Sequence, residues 1–232
     1  MKQKIALCLR GHLRNSFDNN DLIKFIDLLN KNFNLDIFIQ TWNENEAKLS
    51  WRNLDRSKLK QIDELYIKQL FNNFEKNIKH IMILDDSNIE LVGELTGNLG
   101  GIPKIAWKNM WYGIYNIIDF IKNYSVLNKI EYYTIINMRF DLFTYYNSPS
   151  LNLDINKMIK KLLNINNPKL TFLYNEPKVG VDNYYFGSIE NMYKLSNYFH
   201  FNLDIVQKKY NSVYNQEKLV YMIANDLNIV KK

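Results

Sequence analysis

Arg139 and Asp141 stand two positions apart at the end of the apolar run Tyr132-Tyr133-Thr134-Ile135-Ile136-Asn137-Met138. An unpaired charge inside such a run would cost several kcal/mol, so both groups belong at the carboxyl end of a buried strand. Open α/β sheets bind their ligands there. The two-residue period of a strand places both side chains on one face. A carboxylate in that position can hold a divalent metal, and a guanidinium can hold phosphate. The competing reading is an ordinary Arg–Asp pair closing a strand.

Arg10-Gly11-His12-Leu13-Arg14 follows the apolar run Ile5–Leu9. Two arginines and a glycine ahead of a helix suit an anion, because glycine lets the backbone approach and a helix start adds amide donors. A solvated basic turn would have the same composition. Asp182 lies 182 − 141 = 41 residues beyond Asp141, beside Asn183 and before Tyr184-Tyr185-Phe186-Gly187. Two carboxylates converging on one cleft can divide roles, one on metal and one as base. An Asx turn after Gly180 is the structural alternative. Asp85-Asp86 and Glu217 rank lower, as a strand exit and a helix start. His12, His80 and His200 have no metal-ligand spacing, though His12 is placed to touch a ligand. Trp42, Trp51, Tyr184 and Tyr185 offer rings for stacking on a ligand, and equally for packing.

These residues need a scaffold. Ile5–Leu9, Asp36–Thr41, Ile78–Leu84, Tyr132–Met138 and Leu170–Tyr174 read as strands. Helical spacing covers Leu22 to about Phe33, Gln61–Phe74, Trp107–Ile121, Ile155–Leu163, a segment capped by Ser188, and about Asn215–Asn225. Glu90–Pro103 holds four of the eight glycines and reads as a loop, without the pattern of a P-loop. Strands alternating with helices predict an α/β fold with a mostly parallel sheet.

The 232 residues suit one domain, or one domain with an appended subdomain. Lys and Arg outnumber Asp and Glu by 30 to 24, a balance that suits anionic partners and that lysine-rich codon usage also produces. The single Cys8 leaves no internal disulfide and fits a reducing, cytoplasmic setting. No apolar run is long enough to span a bilayer, so membrane contact would be peripheral.

Lys4–Arg14, Asp36–Trp42, Arg139-Phe140-Asp141-Leu142 and Asp182–Ser188 together resemble, in order, bacterial and viral polysaccharide glycosyltransferases related to the WavE lipopolysaccharide-synthesis family. The resemblance implies a single GT-A-like, Rossmann-like domain, with about 1–145 as its nucleotide-sugar-binding part and about 146–232 as its acceptor-side part. It implies transfer of a sugar from a nucleotide-sugar donor to a glycan or lipid-linked glycan acceptor. Arg10, Gly11, His12, Arg14 and Arg139 would then meet the donor nucleotide. Asp141 would hold manganese or magnesium, and Asp182 would act on the acceptor. Such enzymes often carry Asp-x-Asp, and here Arg139 replaces the first Asp.

Two other classes compete. A sulfotransferase-like enzyme would need a lysine-rich loop after the first strand, which Arg10 and Arg14 fit poorly. A basic RNA-binding module would interleave basic and aromatic residues on a strand, and no stretch does so, so nucleic acid is not an expected partner.

Overall fold

Alternating burial along the central strands sorts the chain into layers. In β1 (Lys4–Arg10), Ile5, Leu7 and Leu9 enter one apolar cluster, while Ala6 and Cys8 enter another. A strand buried on both faces needs helices on both sides, and the sequence supplies them. A computed structural model describes residues 2–47, 59–99, 102–145, 153–164, 169–172, 181–210, 213 and 216–230.

Six strands form the central sheet. They are β1, β2 (Asn34–Trp42), β3 (Ile78–Leu84), β6 (Thr134–Arg139), β7 (Thr171–Phe172) and β8 (Tyr184–Gly187), in the order β3-β2-β1-β6-β8-β7. A small hairpin of β4 (Asn98–Leu99) and β5 (Ile102–Pro103) interrupts the glycine-rich segment. The first four strands of the sheet pair in parallel, whereas β8 runs antiparallel to both β6 and β7. The fold is α/β with a mostly parallel central sheet, compatible with a Rossmann-like arrangement.

One face carries α1 (Asp21–Asn32), α2 (Glu64–Leu70), α4 (Leu142–Tyr145) and α5 (Ile155–Leu163). The other carries α3 (Lys104–Leu127), α6 (Ile189–Lys209) and α7 (Gln216–Asp226). Ser188 caps α6 by accepting from the Asn191 amide at 3.3 Å, as its hydroxyl and position predict. The predicted helix over Gln61–Phe74 is instead α2 followed by a 3-10 turn at Asn72–Asn77. Asn72 and Asn73 favour local turns over continued helix, which accounts for the break. α3 extends beyond its predicted apolar core at both ends, from the buried Lys104 to the exposed Val126 and Leu127. The strand reading at Leu170–Tyr174 survives as β7, with 173–174 outside the described residues.

The chain enters β1, crosses through α1 to β2 on one side, and later returns to β6 on the other. The switch point of the sheet therefore lies beyond the carboxyl ends of β1 and β6. Among the described residues, no helix is long and apolar enough to cross a membrane.

Candidate functional site

Arg10 and Arg139 are register partners at the carboxyl ends of β1 and β6. Alternation turns both toward the α3 side. The backbone binds the two exits together, since the Phe140 amide donates to the Arg10 carbonyl at 3.2 Å. Gly11 then turns the chain with φ +90, and its amide donates to the Gln40 carbonyl at 3.0 Å. Only glycine adopts that backbone without strain. Arg14 also has a positive φ, 49°, and its amide donates to the Asn45 carbonyl at 2.8 Å. The turn after β1 is thus laid against the segment after β2. His12 adds a stack on Trp42, with centroids 5.7 Å apart.

Asp141 lies two residues beyond the strand, in the turn that opens α4. Strand period therefore does not align it with Arg139, contrary to expectation. Hydrogen bonding does. Arg139 grips the carboxylate with two donors, Nε to Oδ1 at 2.9 Å and Nη2 to Oδ2 at 2.7 Å. Arg14 Nη1 reaches the same Oδ2 at 2.7 Å, and Arg14 Nε lies 3.1 Å from Glu46 Oε1. Arg139 Nη1 donates to Asn183 Oδ1 at 2.9 Å. Asp141 is 2% exposed, so these contacts are shielded from water.

Asp182 and Asn183 form a 3-10 turn leading into β8. Arg10 Nη2 donates to the Asp182 carbonyl, joining residues 172 positions apart. Burial lowers the pKa of Arg10, while Tyr185 and Asp182 raise it. The guanidinium stays charged, because its intrinsic pKa is above 12. Arg10 Nε is buried without a hydrogen-bond partner among the described residues. Burial, and then Arg14, hold the His12 imidazole well below its ordinary pKa, so it is neutral near pH 7.

All seven predicted site residues, Arg10, Gly11, His12, Arg14, Arg139, Asp141 and Asp182, lie together at the carboxyl ends of β1 and β6. Others do not. Tyr184 and Tyr185 are buried in the two core clusters and offer no open ring face. Trp42 is buried under His12. Trp51, Pro177 and Gly180 lie outside the described residues, as does the side chain of Glu217. Asp85 accepts from Ser87 and Asn88 in a tight turn, the structural role of a strand exit. His80 and His200 stack on Phe120 and Tyr115. Three partners were not singled out from sequence: Glu46, Asn183 and Gln40. Gln40 is polar within an apolar strand, a usable signal, whereas nothing in the polar stretch around Glu46 marks it.

A divalent cation on Asp141 would have to compete with this arrangement. Both carboxylate oxygens already accept guanidinium hydrogen bonds. Among the described residues there is no group of three or more His, Cys, Asp or Glu side chains suited to a metal. The donor set as arranged therefore does not fit a metal on Asp141. What it offers is a buried, arginine-rich corner suited to an anion with planar oxygens.

Compared with known proteins, the chain matches no family model and no curated protein.

Proposed function

We propose that this protein is a GT-A-like glycosyltransferase that moves a sugar from a nucleotide donor to a glycan acceptor in the synthesis of a surface polysaccharide or glycoconjugate. One observation carries the reading. Three guanidinium groups, Arg10, Arg14 and Arg139, meet at the switch point of a parallel sheet, within reach of two acidic residues, Asp141 and Asp182. Switch points of such sheets take nucleotides, and guanidinium forks match phosphate oxygens. The ordered motifs that resemble the polysaccharide transferases supply the sugar-transfer part of the proposal.

In this reading the donor diphosphate lies over the exit of β1. Gly11 permits close backbone approach, and the arginines offset the charge that develops on the departing nucleoside diphosphate. For an inverting transfer, Asp182 takes the proton of the acceptor hydroxyl as it attacks the anomeric carbon. A retaining transfer would leave Asp182 to orient the acceptor.

The test is donor turnover. Purified protein is incubated with a panel of sugar nucleotides, and free nucleoside diphosphate is measured. Release from one donor, reduced at least about a hundredfold in Asp182→Asn with binding retained, is expected of an inverting enzyme. Thermal stabilisation by adenosine phosphosulfate, with no response to any sugar nucleotide, would move the protein to sulfotransfer.

A further inference from the structure

We infer that this site meets the donor diphosphate with the Arg14–Arg139 guanidinium pair in the place of a divalent cation, and that Asp141 is the anchor of that pair. The inference rests on the nucleotide reading above and concerns how the charge is met. A metal in such a site neutralises the diphosphate and stabilises the leaving group. A guanidinium does both, and its fork also fixes the orientation of the oxygens it binds.

The geometry favours the arginines in three respects. Arg139 holds Asp141 through both carboxylate oxygens, and Arg14 shares Oδ2. An ion bound to Asp141 would strip hydrogen bonds from a carboxylate that is 2% exposed, and would bring its own charge beside two guanidinium groups. Arg14 is held at φ 49°, a conformation that a side-chain-bearing residue rarely adopts. Such backbone persists where surrounding contacts impose it, here the bond to the Asn45 carbonyl and the contact with Glu46. The chain therefore imposes an unusual backbone at the residue that sets a cation over the site. Arg10 contributes a third guanidinium, with a buried Nε that lacks a partner among the described residues.

Asp141 in this scheme is a positioning residue. It orients the two arginines, as Glu46 and Asn183 do from the sides. The position that carries the first carboxylate of the usual Asp-x-Asp motif carries Arg139, so the fixed positive charge comes from the chain itself.

The experiment is calorimetric titration of the wild-type chain with UDP, GDP, CDP and ADP, each in chelator and each with manganese. One diphosphate is expected to bind with affinities within about twofold of each other in the two buffers. Arg139→Lys keeps the charge, removes the fork and spares Asp141 an unpaired burial. It should weaken binding in chelator by about tenfold or more, the scale of a lost charge-assisted hydrogen bond. Binding that appears only with manganese would overturn this inference and leave the nucleotide reading standing. Binding in neither buffer would overturn the nucleotide reading and the inference with it. An unchanged affinity in Arg139→Lys would also overturn it, since the fork would then do nothing for the diphosphate.

Discussion

Asp141→Asn should destabilise the protein far more than removal of any surface charge. The wild-type carboxylate accepts from Arg139 at 2.9 and 2.7 Å and from Arg14 at 2.7 Å. Its side chain is 2% exposed, against 13% for Arg14 and 21% for Arg139. Breaking a buried ion pair costs about 3–5 kcal/mol, chiefly because the surviving charge is stranded. The two arginines are partly accessible and regain some water, and asparagine keeps one acceptor oxygen. Both effects pull the cost toward the lower end, about 3 kcal/mol. For a chain of 232 residues each kcal/mol moves Tm by about 2–4 °C, so the midpoint should fall by about 6–12 °C. Differential scanning calorimetry reads this directly. Asp27→Asn is the control, since its pair with Lys31 is exposed on α1 and should change Tm by about 1 °C or less. A fall in Asp141→Asn no larger than in Asp27→Asn would refute the buried fork.

Two further outcomes follow from the structure. The folded chain keeps His12 neutral, while the unfolded chain binds a proton below about pH 6.5. His12 therefore costs nothing above that pH and penalises the fold increasingly as pH falls toward its folded pKa. His12→Gln should gain on wild type in urea midpoint between about pH 7.5 and about pH 5.5, and a constant difference across that range would count against the burial of the imidazole. Gly113→Ala would place a Cβ 2.8 Å from Gln40 Oε1 and 2.9 Å from its Cδ. The helix gains about 0.5–1 kcal/mol from alanine, but overpacking a buried contact costs about 1–3 kcal/mol. A net loss of about 1 kcal/mol in chemical denaturation is expected, and a stabilised variant would show that Gln40 moves freely.

Five of the six strands of the central sheet were legible because each is a short apolar run bounded by charge or turn residues; Tyr184–Gly187 read only as an aromatic run, and the short β4 and β5 lay in a segment read as a loop. Ile78–Leu84 and Ile155–Leu163 match their predicted bounds. Strand direction was not legible. Tyr184–Gly187 is apolar on both faces, and a doubly buried strand carries no record of its partner's orientation. Its antiparallel pairing with β6 appears only in the folded sheet. Tyr184 and Tyr185 looked equally apt for ligand or core, and packing against both helical layers settled them as core.

The chemical inventory of the site belongs to the sequence. Arginines and carboxylates at the ends of apolar runs had to find partners, because unpaired charges are not tolerated in the interior. Which of them meet is a property of the folded sheet. Arg10 and Asp182 are 172 positions apart, and no local pattern encodes their contact. Arg139 and Asp141 are close in sequence, yet a turn and a two-donor fork align them where strand period would not. The fork changes what Asp141 can do. A carboxylate near one arginine can still take a metal, but one gripped on both oxygens by two guanidinium groups has its charge already answered.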